Sequence, residues 1–143
     1  MSLKVLVTGT FNILHPGHVR LLEFASRFGN VTVGLNSDDY LHKKYGESNT
    51  IPLVDRTYVL MSNKYVENVL VFTEENPSDL ILKFKPDIYI KGPDYKGCEI
   101  PEIHALNRVD ARYIVQPDSK EYNSSDLIKN LEPKVLKKLK KYI

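Results

Sequence analysis

The sequence predicts an α/β fold, a Rossmann-like doubly wound sheet of about five parallel strands with helices on both faces. Three observations carry this. Short apolar runs rich in β-branched residues recur along the chain. Each is followed by a segment with helical periodicity, and strands alternating with helices pair in parallel through right-handed crossovers. Finally, the residues able to do chemistry stand directly after strands, at the edge where open α/β sheets bind ligands.

Residues 3–7 (Leu-Lys-Val-Leu-Val) read as the first strand, buried on both sides. Leu21, Leu22, Ala25 and Phe28 then recur on one helical face, with Pro16 suited to the first helical position. The segment between is a strand-to-helix turn, whose unpaired N–H groups favour phosphate. Asn30–Asn36, with alternating Val31, Val33 and Leu35, is the second strand. Residues 36–39 (Asn-Ser-Asp-Asp) offer capping chemistry for a short helix through Leu41 to Lys44, and the polar residues 46–50 are expected to form a mobile loop. Asp55 offers a cap for a helix carrying Tyr58, Val59 and Met61. Strands are expected at residues 69–72, 88–90 and 113–115; residues 77–79 open a helix carrying Leu80, Ile81 and Phe84 that ends at Pro86, and residues 99–107 are expected to be helical. A last helical pair runs from about residue 124 to the end.

With 143 residues and no linker or repeat, the chain reads as a single domain, 1–143. Cys98 is the only cysteine, so no internal disulfide can form. No long apolar segment is present, so neither a signal peptide nor a membrane span is expected, and the location is read as cytoplasmic. The net charge of +2 hides five lysines between residues 134 and 141. Val135, Leu136, Leu139 and Ile143 form an apolar stripe among them, so these lysines read as the solvated face of a terminal helix and not as a nucleic-acid surface.

Residues 8–18, Thr-Gly-Thr-Phe-Asn-Ile-Leu-His-Pro-Gly-His, resemble the H-x-G-H signature of the cytidylyltransferase-like nucleotidyltransferases. Pro16 between the histidines is the form common in adenylyltransferases that activate heptose 1-phosphate. The resemblance implies that His15 and His18 contact the nucleotide phosphates and steady the charge that grows as pyrophosphate leaves. The physics fits: transfer at an α-phosphorus depends on positioning and on donors aimed at phosphoryl oxygens. Imidazolium at a helix start supplies such donors, and Gly17 lets the backbone approach. Thr8, Gly9, Thr10 and Phe11 belong to the same nucleotide-binding turn. No metal site is predicted, because neither carboxylate nor cysteine accompanies the histidines at ligand spacing.

The resemblance extends from Val5 to Leu131. It implies that Lys44, six residues after Asp38, reaches phosphates from a mobile loop, with Lys43 as its competitor. It gives Arg56 a phosphate-binding role, through paired guanidinium hydrogen bonds. Residues 91–95 (Lys-Gly-Pro-Asp-Tyr) resemble the Lys-Gly-Gly-Asp-Tyr segment of the heptose-type enzymes. There Gly92 would permit close approach of a base or sugar, Asp94 would accept hydrogen bonds, and Tyr95 would offer an aromatic face. Asn123, Ser124 and Ser125, before a final apolar helix, would bind the β- and γ-phosphates, although simple helix capping accounts for the same residues.

The implied function is condensation of a nucleoside triphosphate, ATP favoured over CTP, with a sugar phosphate such as heptose 1-phosphate, by a homodimer and with Mg²⁺ accompanying the triphosphate. CTP:glycerol-3-phosphate cytidylyltransferase and flavin mononucleotide adenylyltransferase are alternatives. Asn12 stands where the family has aspartate, Glu121 where it has glycine and Asn123 where it has serine. These departures motivate a further rival, a nucleotide-binding module without catalysis.

Overall fold

The computed structural model describes residues 2–117. Five parallel strands form one sheet in the order β3-β2-β1-β4-β5. The strands are β1 (Lys4–Gly9), β2 (Asn30–Asn36), β3 (Val66–Phe72), β4 (Ile88–Lys91) and β5 (Arg112–Val115). Between them run α1 (Pro16–Ser26), α2 (Asp38–Tyr45), α3 (Leu53–Met61), α4 (Ser78–Phe84) and α5 (Ile103–Arg108). Sequence order reverses at β1, which pairs with β2 on one side and β4 on the other. A ligand crevice is expected beyond the carboxyl ends of those strands.

Side chains alternate across the sheet, and the core accordingly divides in two. Val5, Val7, Ile88 and Ile90 pack with Leu22 and Ala25 of α1 and Leu60 of α3. Leu6 and Tyr89 face the other way, against Ile81 of α4 and Leu106 of α5. Helices thus cover both faces, as the alternating pattern predicts.

Several boundaries differ from expectation, each for a physical reason. β3 begins at Val66; the exposed Glu67 and Asn68 interrupt the apolar run that marked residues 69–72. α3 starts at Leu53 behind Pro52, so Asp55 lies within its first turn and is not its cap. The face of α3 carrying Tyr58, Val59 and Met61 points outward, while Arg56 and Leu60 are buried. The helix expected over 99–107 shortens to α5, with turns before it at Pro101. Residues 47–49 form a 3-10 turn. Asn12 ties that turn down: its Nδ2 donates to the Asn49 carbonyl at 2.8 Å and its Oδ1 accepts from Ile51 N at 2.7 Å. Lys44 sits in the last turn of α2 and is carried by a helix, not by the loop. The expected final helical pair lies outside the described residues.

Candidate active site

The turn after β1 is shaped by Phe11, a non-glycine residue at φ 44°. Such a conformation is costly and persists only where the surroundings impose it. Phe11 is buried, and its ring folds back over Gly9, where an added Cβ would lie 3.1 Å from the ring. The same ring meets His18, with centroids 4.9 Å apart.

His15 is the N-cap of α1, and Pro16 follows it in the first turn, where a missing N–H costs nothing. The two histidines make a reciprocal cap. His15 Nδ1 accepts from Gly17 N at 3.0 Å, and His18 Nδ1 accepts from His15 N at 3.3 Å. Their rings stack with centroids 3.8 Å apart and planes at 24°. Acceptance at Nδ1 selects the tautomer with its proton on Nε2. Burial lowers the His15 pKa, against the pull of Asp94. His18 is held down to about 4, first by burial and then by the neighbouring His15, against the Ile13 main chain and Asp94. In the free protein near neutral pH the pair is therefore neutral imidazole and not the imidazolium that the sequence suggested. A groove of about 440 Å³ lies alongside, bordered by Leu14, His15 and Arg20.

A separate cavity of about 390 Å³ opens at the carboxyl ends of the strands. Thr8, Gly9 and Thr10 line it from β1, Lys44 and Tyr40 from α2, and Lys91 and Glu102 from the far wall. Lys44 Nζ donates to the Tyr40 hydroxyl at 3.3 Å, the first cause of its raised pKa, so it stays charged. Lys43 does not line this cavity. No hydrogen bond or ring contact joins Lys44 to either histidine among the described residues, so the two stand in adjoining compartments around the Thr8–Thr10 turn.

The other expected residues fall out unevenly. Asp94, in a 3-10 turn after β4, lies close enough to act electrostatically on both histidines. Among the described residues nothing occupies the space where a Gly92 Cβ would project. Tyr95 lines the cavity, but one face of its ring already receives Lys91 Nζ at 4.4 Å. Thr8 Oγ1 bonds the Tyr89 hydroxyl at 2.7 Å. Asn123, Ser124 and Ser125 lie outside the described residues.

Arg56 requires a correction. Its guanidinium is fully buried, with no exposed side-chain surface. Nε donates to the Ile51 carbonyl, Nη1 to the carbonyls of Thr10 and Asn36, and Nη2 to Asp38 Oδ1, all within 2.8–3.0 Å. Four of its five N–H donors are thereby used inside the chain, and the group is not presented to a phosphate. The sequence signalled an arginine of consequence but not what it would bind.

Sequence reasoning named Lys91 only as part of the 91–95 segment, with no role of its own, and gave Glu102 none, since it falls within the helix expected over 99–107. The structure brings both to the cavity: Lys91 ends β4, and Glu102 stands in the turn just before α5. Among the described residues no group of three His, Cys, Asp or Glu side chains forms a metal site, and no helix is long and apolar enough to cross a membrane.

Comparison with known proteins bears on the whole of this frame. The bifunctional protein HldE of Campylobacter curvus is 45% identical over 98 residues, which are 67% of this chain and 21% of that protein. The bifunctional protein HldE of Streptomyces coelicolor is 37% identical over 111 residues, 76% of this chain and 24% of the relative. The chain thus spans about a fifth to a quarter of the length of these relatives. A solved lipopolysaccharide core biosynthesis protein from Thermoplasma volcanium superposes with a TM-score of 0.68 at 20% identity, covering 84% of this chain and all of that one; at this identity the likeness concerns the fold. A family profile described as cytidylyltransferase-like matches residues 6–130, which takes in most of β1, the turn after it, the stacked histidines, the cavity and the other four strands. The chain belongs to the cytidylyltransferase-like family.

Proposed function

We propose that this chain is a nucleotidyltransferase that joins a nucleoside triphosphate, ATP in preference to CTP, to a sugar phosphate of the heptose 1-phosphate type, releasing pyrophosphate. The observation that supports this best is the histidine pair at the start of α1: two stacked rings, each accepting at Nδ1 from a main-chain N–H, so that the proton sits on Nε2 as a donor; the His18 ring also interacts with the Ile13 main chain in the free protein, a contact that a phosphoryl oxygen would replace. Donors placed before the reaction stabilise charge without reorganising as it develops. An acceptor phosphate oxygen attacks the α-phosphorus, the bond to the bridging oxygen breaks, and pyrophosphate departs with the electron pair. His15 and His18 donate to phosphoryl oxygens, and Lys44 supplies the cation from the adjoining cavity. Mg²⁺ arrives with the triphosphate as part of the substrate and neutralises part of its charge.

The preference for ATP and a heptose-type acceptor rests on the Lys91-to-Tyr95 segment and on the HldE relatives. We place the enzyme in the cytoplasm, as a homodimer. The test is pyrophosphate release from ATP and heptose 1-phosphate, with CTP and glycerol 3-phosphate as the competing pair. His15→Ala and His18→Ala should each lower kcat by about 10²–10³-fold, the usual cost of losing a donor to a transition-state oxyanion, with ATP binding little changed. Near-normal turnover in either folded variant refutes the assignment. A product carrying cytidine would reverse the choice of base alone.

A further inference from the structure

Lys91 and Glu102 are the charged pair placed deepest in the cavity. Lys91 closes β4 with its side chain 11% exposed, and Glu102 lies across from it at 4%. Nζ stands 3.5 Å from Glu102 Oε2, 4.4 Å from the centroid of the Tyr95 ring and 5.6 Å from that of Tyr89. Glu102 Oε2 also accepts from the Tyr89 hydroxyl at 2.6 Å. Burial and the neighbouring Glu102 raise the Tyr89 pKa far above its ordinary value, so that hydroxyl keeps its proton. Because the carboxylate is acceptor-only, the direction of the chain is set: Thr8 Oγ1 donates to Tyr89, and Tyr89 donates to Glu102. Thr8 is left with lone pairs beside the cavity it lines.

Burying two charges is costly unless pairing and hydrogen bonds compensate. Glu102 is compensated. Lys91 is only half so: among the described residues its ammonium has the ion pair and two ring faces but no hydrogen bond, and it lies on a cavity wall. One of its three N–H groups faces Glu102; the others have no oxygen acceptor among the described residues and are available to a ligand in the cavity.

We propose that Lys91, Glu102 and Thr8 form the subsite that reads the hydroxyl groups of the acceptor, which is a polyhydroxy phosphomonoester. This rests on the function proposed above. Lys44, on the α2 wall, takes the phosphate. Lys91 takes neutral hydroxyl oxygens, because Glu102 cancels its charge and Glu75 and Glu99, which also line the cavity, repel a second anion. Thr8 Oγ1 accepts from a hydroxyl, and a volume of about 390 Å³ is at the small-metabolite end of ligand pockets. Glu102 is a positioning residue, acting through Lys91 and, by way of Tyr89, through Thr8.

The experiment uses the full chain with ATP and, as acceptors, heptose 1-phosphate and glycerol 3-phosphate, with glucose 1,6-bisphosphate as a doubly anionic inhibitor. Lys91→Met should raise the acceptor KM by about tenfold, the effect of one lost hydrogen bond, with the KM for ATP within about twofold of the wild type. Glu102→Gln keeps an oxygen for Tyr89 but uncovers the Lys91 charge. It should raise the acceptor KM while tightening inhibition by glucose 1,6-bisphosphate about tenfold, a reversal that a merely structural role would not produce. Wild-type turnover with both constants unmoved in the two variants, or an equal rise in the KM for ATP, overturns the inference alone. No pyrophosphate release by the wild type with either acceptor overturns the proposed function and this inference with it.

Discussion

Among the described residues Arg56 is the largest side chain fully removed from water, and it is charged. It satisfies three carbonyls from separate segments: Thr10 in the turn after β1, Asn36 at the end of β2, and Ile51 before α3. Asp38, the anion it pairs with, also caps Leu53 N at 2.8 Å. Removing the guanidinium would leave buried acceptors without donors and break a partly buried ion pair. Arg56→Met should therefore destabilise the protein by about 3 kcal/mol or more, measured as the urea midpoint at constant slope. A loss below about 1 kcal/mol would show that water replaces the missing donors. The residue also marks the limit of sequence reading. A guanidinium suits a phosphate and a set of carbonyls equally well, and the choice depends on how far Leu53–Met61 sinks toward the sheet. The histidines were more legible, because Pro16 and Gly17 fix a helix start locally. Their charge state was not, because burial and their mutual approach arise only in the folded turn.

At the scale of elements, Asn12 shows why a departure from the family pattern need not be a defect. Its amide both donates, to Asn49, and accepts, from Ile51, which a carboxylate cannot do. It fastens the segment following α2 to the turn that precedes the histidines. Asn12→Asp should loosen residues 46–51, raising hydrogen exchange there by about tenfold while protection in β1 and β2 stays level. Unaltered exchange would mean that the 3-10 turn holds itself. The strands and helices were mostly readable from periodicity, since apolar alternation and Pro or Ser starts are local signals. The errors came where tertiary placement overrode them, as at the exposed apolar face of α3 and the polar opening of β3.

Across the whole molecule, that α3 face is the largest unmet demand among the described residues. Val54 and Tyr58 are 73% and 74% exposed, and Val59, Met61 and, on the edge strand β3, Val71 are exposed as well. Large apolar side chains exposed together on one short helix are a candidate association surface. If it forms the homodimer contact, Val54→Glu with Tyr58→Glu should convert a dimer into a folded monomer by sedimentation, whereas a wild type that sediments as a monomer removes the proposal. The division of the site by β1 has a different kind of consequence. The histidines belong to the start of α1, while the cavity walls come from the ends of the strands and the segments that follow them. Lys44 apart, substitutions in those walls can retune which metabolite is accepted without touching the histidine pair. A lineage built on this frame is thus free to diversify its repertoire in one compartment while the other keeps the chemistry unchanged.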